Sequence, residues 1–119
     1  MNHKELEVWK KAMDLVESVY ELSSRFPDSE RYGLCQQARR SAVSIPSNIA
    51  EGSARKGNKE IVQFASLALG SLAELETQLH IAGRLGYLED QNSIFEELEH
   101  VRKLLIGFRN HLKRATKNG

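Results

Sequence analysis

Apolar residues recur every three or four positions through four long segments of the chain, and this spacing predicts α-helices. The predicted helices cover about residues 4–24, 30–54, 59–84 and 91–114. Pro27 ends the first helix, and Gly86 is expected to cap the end of the third. Because the connections are short, consecutive helices must run in opposite directions. The pattern therefore predicts an all-α fold, an antiparallel up-down-up-down four-helix bundle that forms a single domain over residues 1–119.

The first helix carries two neighbouring apolar stripes. We expect the first stripe to face the core, with Ala12 and Val19 beside it. Its residues are Leu6, Trp9, Met13, Val16 and Tyr20. The second stripe consists of Val8, Leu15 and Leu22 at heptad spacing. Together the two stripes make the apolar face broader than one core contact requires, which favours contacts with another chain.

The second helix contains a proline in the middle of its apolar stripe. Pro46 removes a backbone donor and clashes with the preceding turn, at a cost of roughly 3 kcal/mol. The stripe keeps its phase on both sides of the proline, which favours one kinked helix through about Ala54. A break at Pro46 is the alternative. The expected core residues are Leu34, Ala38, Ala42, Ile45 and Ile49.

The third and fourth helices have regular stripes that suit nearly antiparallel packing. The third stripe contains Ile61, Phe64, Ala65, Ala68, Leu72, Leu75, Leu79 and Ala82. The fourth contains Ile94, Leu98, Val101, Leu105, Phe108 and Leu112. Glycine weakens a helix interior, so a close approach of two helices would explain Gly70 and Gly83. Gly57 and Asn58 are expected to form the turn and N-cap that begin the third helix.

The composition, 40% hydrophobic and 28% charged residues, is typical of a globular protein. Cys35 is the single cysteine, so no disulfide can form within the chain. No apolar run approaches the ~18–20 residues that a membrane span requires. We therefore expect a cytoplasmic protein.

Positive and negative side chains are segregated along a chain whose net charge is only +1. Residues 31–59 hold six basic and one acidic side chain, and residues 102–119 hold six basic and none acidic. Residues 60–101 hold one basic and eight acidic side chains. In an up-down bundle the turn after the second helix and the end of the fourth helix lie at the same end. That end is expected to be basic and the opposite end acidic.

The basic end is a candidate surface for RNA or DNA, because clustered lysine and arginine side chains attract phosphates. The alternative is a set of solvated helix faces in which cations only complement the helix dipoles. The candidate nucleic-acid-binding residues are Arg55, Lys56, Lys59, Arg109, Lys113 and Arg114.

A polar strip on the second helix is a candidate subunit interface, in which Arg40 would pair with a glutamate of another chain. A solvated face with weak pairs inside one helix is the alternative. The candidate interface residues are Arg40, Ser44, Asn48 and Glu51, together with Glu74 of the third helix.

No residue pattern indicates catalysis or a cofactor. Glu97 and His100 have the spacing used by di-iron bundles, but such a site needs a second copy of the motif and two further glutamates. Cys35 has no identifiable base beside it in sequence, so we expect it to pack as a small apolar residue. The sequence therefore predicts a protein that is not an enzyme, with no metal and no cofactor.

Several segments resemble a known family. They are residues 8–14, 32–34, 39–52, 70–79 and 85–88. Within them the run SIPSNIAEG is the most specific, and the match covers nearly the whole chain. The chain resembles the bacterial four-helix-bundle proteins encoded in 23S rRNA intervening sequences, which are similar to the accessory variability protein of diversity-generating retroelements.

The resemblance implies a homopentamer without enzymatic activity. For the retroelement branch it also implies binding to a reverse transcriptase and to nucleic acid through a basic surface. The modest net charge of this chain favours the intervening-sequence branch. The chain departs from the expected pattern between Cys35 and Ala38.

These observations lead to one main hypothesis, a non-enzymatic oligomeric bundle whose basic end contacts RNA or DNA. The alternative is a structural or protein-interaction module, including a reverse-transcriptase accessory role, that does not bind nucleic acid directly.

Overall fold

A computed structural model describes residues 1–118 and confirms the predicted all-α four-helix bundle. The four helices are α1 (Glu7–Ser23), α2 (Leu34–Ser53), α3 (Asn58–Arg84) and α4 (Gln91–Asn118). Helices α1 and α3 each pack against both α2 and α4. The bundle is elongated, with dimensions of 51 × 23 × 20 Å.

Helix α1 begins at Glu7 rather than near Lys4. Leu6 has an extended backbone, with φ −75° and ψ 127°, and this conformation interrupts the helix. Residues His3–Glu5 form a separate 3₁₀ turn, in which the Lys4 amide donates to Oδ1 of Asn2. The pattern of apolar residues gives no sign of this interruption, because the interruption depends on the backbone conformation of Leu6 alone.

Helix α2 begins at Leu34 rather than near residue 30. Gly33 has φ −111° and ψ −112°, a conformation outside the helical region. A Cβ at Gly33 would lie 2.8 Å from Oε1 of Glu30. That same carboxylate accepts a hydrogen bond from the Leu34 amide (3.4 Å) and one from the Tyr87 hydroxyl (3.1 Å). Glu30 therefore gives a hydrogen-bond partner to one backbone N–H in the first turn of α2. It also ties that turn to the α3–α4 connection through Tyr87.

Helix α2 continues through Pro46 without a break and ends at Ser53. Side chains beside the proline supply donors to nearby carbonyls. The Ser47 hydroxyl donates to the Val43 carbonyl (2.8 Å), and Nδ2 of Asn48 donates to the Ser44 carbonyl (2.9 Å). These bonds reach the two carbonyls that follow Ala42, whose own carbonyl is the one that loses its helical donor because Pro46 has no N–H.

The core side of α1 is shifted from the predicted one, although Ala12 and Val19, which were expected beside the first stripe, are buried. Val8, Ala12, Leu15 and Val19 are buried. Within the stripe that was expected in the core, Met13 is 41% exposed and Tyr20 is 43% exposed. Trp9, Val16 and Leu6 are half-buried and pack against the edge of the core. Both stripes have the same three-four spacing, so periodicity alone could not decide which of them enters the core.

The predicted stripes of α2, α3 and α4 are buried, except that Phe64 and Phe108 are half-buried. Alanines line much of the core, each at most 1% exposed. They are Ala12, Ala38, Ala42, Ala65 and Ala68. Short side chains at these positions let the helix backbones approach closely.

The glycines differ in what surrounds them. A Cβ at Gly52 would lie 2.7 Å from Cβ of Phe64, so α2 and α3 touch at this glycine. The close approach expected at Gly70 is not present within the chain, because a Cβ there would have no neighbour within 4 Å. Gly83 meets the side chain of Gln91. Gly86 has φ 81° and ends α3 as predicted.

A polar contact joins α1 to α4. The Ser18 hydroxyl donates to Oε1 of Glu97 at 2.9 Å. Burial is the largest influence on the pKa of Glu97 and raises it, and the charge of Asp14 adds to that effect. The Ser18 hydrogen bond and Lys11 act in the opposite direction without cancelling the rise.

We expect Gly52→Ala to destabilise the protein by about 1–3 kcal/mol, because the added methyl group must force α2 and α3 apart. Urea unfolding followed by circular dichroism measures the change. The matched control is Gly107→Ala on α4, where a Cβ meets nothing within 4 Å. That variant should gain about 0.5–1 kcal/mol from helix propensity. Equal effects at the two positions would contradict the close contact at Gly52.

We expect Glu97→Gln to reduce the fall in stability between about pH 4.5 and pH 7.5. The folded-state pKa of Glu97 is raised above its ordinary value of 4.5, so its stabilising contribution is present at low pH and is lost as pH rises through the folded pKa. Water reaches the carboxyl group, so the difference is about 0.5 kcal/mol or less. Urea unfolding at the two pH values measures it. Glu96→Gln, on the exposed neighbour, is the control, and an equal change there would contradict the assignment to Glu97.

Candidate nucleic-acid interface

The bundle brings the start of α1, the α2–α3 turn and the end of α4 to one end of the molecule. The amino group of Met1 lies 3.2 Å from the Ser53 carbonyl oxygen, which places the chain start against the end of α2. The His3 ring meets the edge of Trp9, with 5.1 Å between centroids. Two helix N-termini and two C-termini meet here, so their dipoles offset. Side-chain charges therefore set the sign of this end.

Arg55 is held in a fixed orientation in the α2–α3 turn. Its guanidinium lies 4.9 Å from the centroid of the Phe64 ring, and its Nη2 donates to Oε1 of Glu51 at 3.2 Å. Both partners of this ion pair are largely exposed, so it contributes little stability. Its effect is to orient a cation at the surface. Sequence reasoning identified Arg55 but missed its stacking on Phe64.

Lys56 and Lys59 lie on either side of Gly57. Gly57 is the N-cap residue of α3, and Asn58, the expected N-cap, is the first residue of the helix. Both lysines are exposed. Gly57 has an extended backbone and supplies no side-chain cap, and its carbonyl accepts from the amides of Glu60 and Ile61. The turn therefore presents two free ammonium groups beside the start of a helix.

The last turns of α4 contribute the other candidate cations. Lys113 and Arg114 are exposed. Arg109 is half-buried, and its Nε is shielded from solvent without a hydrogen-bond partner. Arg109 therefore differs from the other candidates, since only part of its guanidinium faces outward.

The candidate interface residues divide into two groups. Ser44 and Asn48 bond within the chain, because the Ser44 hydroxyl lies 2.8 Å from that of Ser71 and 3.0 Å from Nδ2 of Asn48. Glu51 pairs with Arg55, as described above. Arg40 and Glu74 are exposed, and neither forms an ion pair with any residue the structure describes.

A groove between α1 and α2 was not anticipated from the sequence. Its apolar half, towards the basic end, is lined mainly by Trp9, Met13, Val16, Val43 and Pro46. Its cationic half is a cleft of about 650 Å³ with Tyr20, Arg31, Tyr32, Arg39 and Arg40 in its wall. We call the two halves together the α1–α2 groove. Val43 contributes to both halves.

Arg39 is fixed in the wall of the α1–α2 groove. Its guanidinium lies 4.5 Å from the centroid of the Tyr20 ring. It donates to the Ser23 hydroxyl (2.8 Å) and to the Tyr20 carbonyl (3.2 Å). Such a pairing of residues 19 positions apart has no signature in a single sequence.

The described residues provide no arrangement that indicates catalysis. Within residues 1–118, no cluster of three or more His, Cys, Asp or Glu side chains could hold a metal ion. His100 is exposed, whereas Glu97 is turned towards Ser18. Cys35 is buried at the base of the α1–α2 groove. None of the described helices is long and apolar enough to cross a membrane.

Comparisons with known proteins agree with this fold. No curated protein matches the sequence. A crystal structure from Bacteroides thetaiotaomicron, of a protein with unknown function from the S23 ribosomal protein family, superposes with a TM-score of 0.81. It is 22% identical, and the alignment covers 92% of this chain and 99% of that one. The model of the 23S rRNA-intervening sequence protein family matches residues 4–107, nearly the whole chain, and the protein therefore belongs to that family.

Proposed function

We propose that this protein is a non-enzymatic, self-associating bundle that contacts RNA or DNA through its basic end. The observation that carries the proposal is the group of exposed cations contributed there by the α2–α3 turn and the last turns of α4. They are Arg55, Lys56, Lys59, Lys113 and Arg114, with Arg109 half-buried beside them.

The arrangement of these cations suits a polyanion better than a small ligand. They belong to two separate elements at one end of the bundle. One of them, Arg55, is oriented by an aromatic ring and a carboxylate. Cations spread in this way can each neutralise a phosphate, and every neutralised phosphate adds to the salt dependence of binding.

Self-association is supported by the outward apolar stripe of α1. Met13 and Tyr20 are exposed, although the same helix already supplies a complete core stripe. We propose a homopentamer, the assembly that the family resemblance implies. We also propose that it acts in the cytoplasm and without a cofactor.

The alternative function is a structural or protein-interaction module that does not bind nucleic acid, including an accessory role to a reverse transcriptase. The α1–α2 groove favours this alternative, because it is large, partly apolar and unoccupied by the chain itself. A protein partner in the groove would leave the basic end without a ligand.

We expect Lys56→Gln/Lys59→Gln/Arg114→Gln to weaken binding to a structured RNA and to a matched DNA duplex. Removing three phosphate contacts should flatten the slope of log affinity against log salt by roughly 2–3. Fluorescence anisotropy across a salt series at fixed protein concentration measures both quantities.

The matched control removes three positive charges from the opposite end, Arg25→Gln/Arg31→Gln/Arg84→Gln. It should retain the wild-type slope. Equal weakening in the two triple variants would indicate attraction by net charge alone, and absence of binding by wild type at low salt would refute the nucleic-acid role.

We expect the native mass to be five times the chain mass of 13.5 kDa. Multi-angle light scattering after gel filtration measures it directly. A mass of one chain over the whole concentration range would refute self-association but leave the basic end untested, so the two parts of the proposal fail separately.

A further inference from the structure

The cationic half of the α1–α2 groove combines three guanidinium groups with an exposed aromatic ring, away from the basic end of the bundle. We propose that this cleft binds a free nucleotide that carries two or more phosphates. The phosphates lie against Arg31 and Arg40, and the base lies against the ring of Tyr32. The inference goes beyond the proposed function and does not depend on it, because RNA or DNA is assigned there to the basic end.

The cleft has the size of a small-molecule site. Its volume is about 650 Å³, and ligand sites in proteins occupy roughly 300–1,000 Å³. Its wall is built by three parts of the chain, since Tyr20 belongs to α1, Tyr32 to the connection after α1, and Arg40 to α2. No segment of residues 1–118 fills it. The space is therefore sufficient for a nucleotide.

The wall of the cleft carries positive charge, and no carboxylate belongs to it. Arg31 and Arg40 are exposed, and neither forms an ion pair with any residue the structure describes. Glu30 is the acidic residue next to Arg31 in the chain. Its carboxylate accepts hydrogen bonds from the Leu34 amide and the Tyr87 hydroxyl, so it is engaged outside the cleft. The cleft therefore attracts anions.

Glu74 is the acidic neighbour of Arg40 on the outer face of α2 and α3. The Ser44 and Ser71 hydroxyls meet at 2.8 Å and bring the two helices together beside these charges. Arg40 and Glu74 form no ion pair, and Arg40 lies in the wall of the cleft whereas Glu74 does not. The Arg40 side chain has no hydrogen-bond partner within residues 1–118. Its five N–H groups are therefore available to phosphate oxygens, which a guanidinium can bind in pairs.

Arg39 gives the cleft a fixed positive charge. Its guanidinium lies 4.5 Å from the centroid of the Tyr20 ring, and it donates to the Ser23 hydroxyl (2.8 Å) and the Tyr20 carbonyl (3.2 Å). A charge that is already held in place loses little freedom when an anion arrives. Arg39 therefore contributes attraction at low entropic cost, while Arg31 and Arg40 are free to adjust to the ligand.

Tyr32 distinguishes a nucleotide from a simple anion. Its side chain is 81% exposed, and the guanidinium of Arg31 lies 5.6 Å from the centroid of its ring. This contact leaves most of the ring open to the cleft. Exposed aromatic rings and guanidinium planes are the groups on which nucleobases stack. Inorganic phosphate or an acidic peptide would use the arginines and leave the ring bare, so the ring favours a nucleotide.

Isothermal titration calorimetry with ATP, pyrophosphate and adenosine tests the proposal. We expect wild type to bind ATP more tightly than pyrophosphate, and adenosine most weakly. Arg40→Gln should weaken binding of ATP and of pyrophosphate about tenfold, because a charged hydrogen bond to phosphate is lost. Tyr32→Leu should weaken ATP binding at least about fivefold and leave pyrophosphate unchanged, because only stacking is lost. Tyr32→Phe keeps the ring and should bind ATP like wild type.

Two controls remove cations elsewhere, and both should bind ATP like wild type. Arg84→Gln changes an exposed arginine outside the cleft, and Lys56→Gln/Lys59→Gln/Arg114→Gln changes the basic end. Circular dichroism confirms that each variant is folded, as expected for changes at the exposed positions Tyr32 and Arg40.

Three results would overturn the proposal. Wild type that does not bind ATP at millimolar concentration would refute it directly. Weakening by either control to the extent seen with Arg40→Gln would place ATP outside the cleft. Pyrophosphate bound as tightly as ATP would reduce the cleft to a phosphate site and refute the nucleotide. The role of the basic end is measured separately, with RNA and DNA, so the two proposals fail independently.

Discussion

The close approach of the helices along an alanine-lined core is the constraint on which the rest of the structure depends. Ala38 and Ala42 of α2 and Ala65 and Ala68 of α3 belong to the same buried cluster, and Ala12 adds a third helix. On α1 this core takes in Val8, Leu15 and Val19, and Trp9 packs against its edge while half-buried. Met13 and Tyr20 lie outside it and contribute to the walls of the α1–α2 groove.

The same packing determines where the charges lie. Because Gly52 lets α2 and α3 touch, the turn between them is tight and its cations project from the end of the bundle. At the opposite end, hydrogen bonds and a ring contact hold the connections together. Glu30 accepts hydrogen bonds from the Leu34 amide and the Tyr87 hydroxyl, and the Phe26 ring packs beside that of Tyr87. The basic and acidic ends thus arise from the order of the helices, and the groove runs between them.

The sequence predicted the features that repeat and missed those that depend on single contacts. The stripes of α2, α3 and α4 were identified because each has one apolar face. For α1 the apolar arc is about 200° wide, twice the width that one core contact needs, so its phase was ambiguous. The predicted starts of α1 and α2 were a few residues too early, because Leu6 and Gly33 interrupt the helical backbone through their φ and ψ angles alone. Of the candidate site, the positions of the cations followed from topology, whereas the stacking of Arg55 on Phe64 and of Arg39 on Tyr20 did not.

The four-residue turn between Ser53 and Asn58 also has a kinetic consequence. It joins the two helices with the most intimate contact, so their pairing closes a short loop and costs little chain entropy. Folds dominated by such local contacts form in microseconds to milliseconds. We therefore expect the α2–α3 hairpin to form in the folding transition state, with α4 docking later.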